Sequence, residues 1–104
     1  VRKLLIFVSL VLSLSVSAQE KVVVHINAEF NKANDWAGLK SVQGVRIFGG
    51  YIEKNAKIKE KYNVSRVPTI ILFISGKEVE RWEAGLDMKL HVSQGEVQSK
   101  IDSY

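Results

Sequence analysis

The sequence predicts an α/β fold, a four-stranded mixed sheet flanked by helices. Three observations carry that prediction. Two apolar runs, one built on Val22, Val23, Val24 and Ile26 and the other on Thr69 to Phe73, are continuous enough to be strands buried on both faces. Between them the apolar spacing changes to i, i+3 and i, i+4, the period of helices. After the second run comes a turn at Ser75-Gly76-Lys77 and a charged return strand. A β-α-β opening followed by a hairpin implies a mixed sheet with helices on both faces.

The chain of 104 residues is long enough for one domain. Residues 1–18 read as a secretory signal peptide. Arg2 and Lys3 make a basic start, Leu4 to Val16 is apolar but for three serines, and Val16-Ser17-Ala18 is a small-residue cleavage site. Cleavage is expected between Ala18 and Gln19, leaving one small domain over 19–104. The apolar run is shorter than the roughly 18–20 residues a membrane span needs, so no stable membrane insertion is expected after cleavage. The absence of cysteine excludes a lipoprotein anchor. Without the leader the chain holds 13 basic and 11 acidic residues, a net charge of +2. No basic run interleaves with aromatics, which argues against nucleic acid as a partner. With no cysteine anywhere, neither disulfides nor thiol chemistry is open to it.

Taken in order, Lys21 to Phe30 is the first strand, with His25 inside its apolar pattern as a hydrogen-bonded core residue. Asn31 to Ser41 is a short helix capped by Asn31 or Asn34, presenting Ala33, Trp36 and Leu39 on one face and ending near Gly44. Val45 to Tyr51 is the second strand, weakened by Gly49-Gly50. Lys54 to Tyr62 is a second helix, with Ile58 and Tyr62 four residues apart and its lysines facing solvent. Pro68, the only proline, stops the helical pattern and belongs at the first position of the next strand. The Val67-Pro68 corner suits a cis or a trans bond. Glu78 to Glu83 is an edge strand charged on one face. Leu86, Met88 and Leu90 form an extended apolar alternation. Ser93 and Glu96 make a capping box for a last helix with Val97 and Ile101 on its buried stripe.

This order, together with Val67-Pro68-Thr69 ahead of a buried strand, the hairpin at Gly76 and Ala84-Gly85 after the last strand, resembles the thioredoxin family over nearly the whole of residues 19–104. The resemblance implies a thioredoxin-like fold in a minimal version, since the additional strand and helix at the amino terminus of thioredoxins have no room. It also implies a cis bond at Pro68. The departure lies at the chemistry. Where the family carries a stretch like W-A-E-W-C-G-P-C, this sequence reads Asn27-Ala28-Glu29-Phe30-Asn31-Lys32-Ala33-Asn34. Asn31 and Asn34 stand in the two cysteine positions, with Lys32 and Ala33 between them, and His25 stands where the family's buried aspartate would be. An amide cannot attack a disulfide, because the nucleophile there is a thiolate.

The resemblance therefore implies a redox-inactive protein with no catalytic residues, no cofactor and no metal. The expected function is that of an exported, periplasmic or secreted module that binds an extended or unfolded polypeptide beside Val67, Pro68 and Thr69, with Phe30 and Trp36 as apolar neighbours. The alternative is a structural or assembly subunit of an envelope complex. An enzyme of another kind finds little support, because His25, His91 and the carboxylates lack metal-ligand or triad spacing.

Overall fold

The computed structural model describes residues 19–104, so the signal peptide expected over 1–18 lies outside the described residues. Strands β1 (Lys21–Asn27), β2 (Arg46–Tyr51), β3 (Thr69–Ile74) and β4 (Lys77–Glu83) form one sheet in the order β2-β1-β3-β4. β1 runs parallel to β2 and antiparallel to β3, and β4 pairs antiparallel with β3. Helices α1 (Lys57–Lys61) and α2 (Gln94–Asp102) and two 3-10 turns, Glu29–Asn34 and Leu39–Ser41, complete the order. Among the described residues no helix is long and apolar enough to cross a membrane.

The two apolar runs occupy the centre of the sheet because they have apolar side chains for both faces. Val23, Ile70, Leu72 and Ile74 face Trp36 and the Val97–Ile101 stripe of α2. Val24, Ile26 and Ile71 face Val64, with Ile58 and Tyr62 packed against them. Each fully buried Ile or Leu contributes about 1.5–3 kcal/mol relative to an exposed one. α1 lies close to β2 at Gly50, where a Cβ would stand 2.8 Å from Ile58 Cδ1. The hairpin between β3 and β4 turns through Ser75 (φ 49°) and Gly76 (φ 83°), the two positive dihedrals of a tight two-residue connection. α2 begins as its sequence requires, with the Ser93 hydroxyl accepting from the Glu96 N–H at 3.1 Å.

Four elements differ from expectation. The first strand, expected to reach Phe30, ends at Asn27, because Glu29 and Phe30 already belong to the first 3-10 turn. The helix over Asn31 to Ser41 is two 3-10 turns broken at Asp35 and Trp36. The Trp36 N–H donates to His25 Nε2 at 3.1 Å, so it cannot continue an α-helical ladder. The second helix is shorter, Lys57–Lys61, because Ile52 to Lys54 form a turn. The alternation at Leu86, Met88 and Leu90 is not a strand. The chain turns there, Met88 N–H donating to the Gly85 carbonyl at 3.0 Å, with Met88 at φ 60°.

Candidate functional site

The end of β1 carries a buried web of amides. Asn27 is fully buried, and its side chain uses both of its donors and both acceptor positions. Its Nδ2 donates to the Asn31 carbonyl at 3.0 Å and to Asp35 Oδ1 at 2.7 Å, while its Oδ1 accepts from Ala28 N–H at 2.8 Å and Asn31 Nδ2 at 3.1 Å. Asn31, also buried, donates to the Met88 carbonyl at 3.0 Å, which ties the first 3-10 turn to the loop after β4. Asn34 Nδ2 donates to Asn31 Oδ1 at 2.7 Å. Asn31 and Asn34 are thus joined side chain to side chain by a hydrogen bond. Lys32 and Ala33, between them, are exposed.

Charged groups from outside the turn hold it in place. The Glu53 carboxylate accepts from the Glu29 N–H at 2.7 Å and the Phe30 N–H at 3.5 Å, and the Glu29 bond in particular keeps its pKa below the usual carboxylate range. Asp35 accepts from Tyr51 Oη at 2.6 Å through its second oxygen. Partial burial pushes the Asp35 carboxyl up, but the bonds from Asn27 and Tyr51, aided by His25 and Lys32, outweigh it and hold the pKa low. The bond to Asp35 pushes the Tyr51 hydroxyl up. Burial pushes the His25 imidazole below 6.5, only partly opposed by Asp35. Because His25 Nε2 accepts from Trp36, the ring is neutral with its proton on Nδ1. Among the described residues no buried side-chain nitrogen or oxygen lacks a partner, and the sequence offers no thiol. Among the described residues no three His, Asp or Glu side chains come together as metal ligands.

Pro68 and Thr69 lie at the same end of the sheet, since Thr69 pairs with Ile26, the residue before Asn27. The Val67–Pro68 bond is cis. The side chains of Pro68 and Thr69 are buried, the Thr69 hydroxyl donates to the Arg66 carbonyl, and the Pro68 carbonyl accepts from Ala84 N–H at 3.1 Å. Val67 differs: it is half-buried, and neither its N–H nor its carbonyl has a hydrogen-bond partner among the described residues. Phe30, 75% exposed, and Leu86, 96% exposed, extend from the two loops joined by the Asn31–Met88 bond. Trp36, expected as an apolar neighbour of the groove, is instead a core side chain with its Nε1 donating to the Val92 carbonyl at 3.0 Å. It fills the space between the first turns and α2 and is only 8% exposed. Sequence reasoning missed Leu86 as a surface residue and gave no site role to Asn27, Asp35, Tyr51 or Glu53. The one available signal was Asn27, a polar residue ending an apolar strand four positions before Asn31.

No protein-family model matches the chain, and no curated protein sequence matches it. Solved structures do. A thioredoxin variant from Halobacterium salinarum is 21% identical with a TM-score of 0.63, over 82% of this chain and 74% of that one. A thioredoxin from Schistosoma mansoni is 21% identical with a TM-score of 0.63, over 92% and 87%. The malaria parasite's thioredoxin-2, described as a component of its protein secretion machinery, is 17% identical with a TM-score of 0.63, over 83% and 84%. The chain therefore has a thioredoxin-like fold, reduced to four strands among the described residues and without a single cysteine in its sequence.

Proposed function

We propose that this chain is an exported, non-catalytic module that binds an extended or unfolded polypeptide beside Val67 and Pro68. The observation that carries this reading is the unpaired main chain of Val67. A peptide lying alongside can bond its N–H and carbonyl in the manner of an added strand. Phe30 and Leu86 stand on the two adjoining loops as exposed apolar side chains, whose burial against a bound chain adds to the main-chain hydrogen bonds. The saturated web behind it supports holding over conversion: it positions the turn and leaves no group to react. Export is supported by the basic start, apolar stretch and Val16-Ser17-Ala18 site of the leader.

The test is fluorescence anisotropy with a labelled, reduced, unfolded polypeptide. Saturable binding is expected, weakened about tenfold by Phe30→Asp and by Leu86→Asp, both substitutions at exposed positions. A disulfide-reduction assay is expected to show no turnover. Absence of saturable binding, or binding indifferent to both substitutions, would overturn the reading.

A further inference from the structure

β2 ends the sheet, so one of its edges carries N–H and C=O groups with no strand beside it among the described residues. Soluble proteins blunt such edges with a proline, an inward charge or a covering loop. Within β2, Arg46–Tyr51, the one charge is Arg46 at its first position; beyond it Ile47 is 39% exposed, Phe48 48% exposed, and Gly49 is exposed with no side chain. A second feature adjoins it. On the face shared with α1, a groove of about 450 Å³ runs from Phe48 past Val22 and Val24 to Tyr62 and Phe73. α1 has five residues and leaves that part of the sheet uncovered. A bare edge and an apolar groove therefore meet at Phe48.

The charges around the edge identify the occupant. Arg46 stacks over Phe48, Lys61 lines the groove, and Lys40 and Lys54 line the cleft beside Gly49 and Gly50. Against these four cations stand three carboxylates, Glu20 in the groove, paired with Arg46, Asp35 in the cleft, bonded to Asn27 and Tyr51, and Glu29 beside Lys54, which leaves one positive charge in excess. Lys54 is only loosely paired, 3.9 Å from Glu29. A second copy docked edge to edge would bring this positive rim against itself, and like charges across an interface are costly.

We infer that the free edge of β2 takes an extended, acidic segment of a partner polypeptide as a fifth strand. Side chains of an added strand point alternately to the two faces. The segment that fits carries apolar residues at alternate positions for the groove and carboxylates for the lysines. This site is separate from the Val67 groove, which lies at the end of β1 and β3, and stands independently of it.

The probe is a fluorescent peptide of three Val-Glu repeats, with Val-Lys repeats of equal length as control. The Val-Glu peptide is expected to bind saturably, the Val-Lys peptide at least about tenfold more weakly, and added salt to weaken the Val-Glu complex. Phe48→Glu, at an exposed position, is expected to abolish binding without shifting the melting temperature. An excess of unfolded reduced polypeptide is expected not to displace the peptide. Equal binding of the two peptides, binding untouched by Phe48→Glu, or displacement by the unfolded polypeptide would overturn the inference. So would self-association removed by Phe48→Glu in sedimentation experiments, which would assign the edge to a second copy.

Discussion

At the scale of single residues, His25 and Asn31 show how buried polar groups keep the end of β1 ordered. His25 is buried and neutral, so the unfolded chain binds a proton more readily than the folded one. Its contribution is fully present above its ordinary value of 6.5 and is lost as pH falls from there to its lowered folded value. Asp35 acts in the same direction further down: its lowered pKa gives stability that disappears as pH falls through it. Denaturant unfolding followed between pH 8 and 5 is therefore expected to show stability falling below about 6.5, and His25→Gln to flatten that part of the profile. A profile unchanged by the substitution would contradict a neutral buried imidazole. Asn31→Ala removes the partner of a buried amide and of the Met88 carbonyl, and is expected to cost about 1–3 kcal/mol. Asn34→Ala, at a half-exposed position, is expected to cost about 0.5–1.5 kcal/mol. Equal losses at the two positions would show that burial does not set the difference. The web was not legible in the sequence, because Asp35, Tyr51 and Glu53 meet only when β2 and its following turn lie beside the end of β1.

At the scale of elements, legibility followed the strength of local signals. The runs at β1 and β3, the turn between β3 and β4 and the Ser93 cap are all written in contiguous residues, and each stands where the pattern puts it. The first helix does not, because Trp36 gives its N–H to His25, eleven positions away in sequence. Short polar side chains at Asn31, Asn34 and Asp35 also compete with helical hydrogen bonds. The Leu86 alternation failed for a related reason: Asp87 bonds the Lys89 N–H at 3.1 Å and His91 at 2.6 Å, closing a turn where periodicity suggested a strand. Two elements offer direct checks by denaturant unfolding. Gly76→Ala meets open space but keeps a φ of 83°, so strain alone is expected to cost about 1–2 kcal/mol. Ser93→Ala removes the cap of α2 and is expected to cost about 1 kcal/mol. A neutral result at Gly76 would mean that the turn relaxes to another geometry.

At the scale of the whole molecule, two apolar layers on one four-stranded sheet hold the fold without disulfides. Element order and the Val67-Pro68-Thr69 stretch were enough to read the architecture, because a β-α-β unit followed by a hairpin leaves few alternatives. The surface was harder to read. Trp36, expected as an apolar neighbour of the groove, is a core side chain, and Leu86, read as part of an extended alternation, stands exposed on a turn, since periodicity does not say which loop residue meets α2. The account rests on the claim that the Val67 corner holds a polypeptide without transforming it. An NMR titration of the ¹⁵N-labelled chain with a reduced, unfolded polypeptide tests this most directly. Saturable shifts at the amides of Val67, Phe30 and Leu86, with the added polypeptide recovered chemically unchanged, are the predicted result. Shifts confined to other parts of the sheet, or no shifts at all, would contradict it.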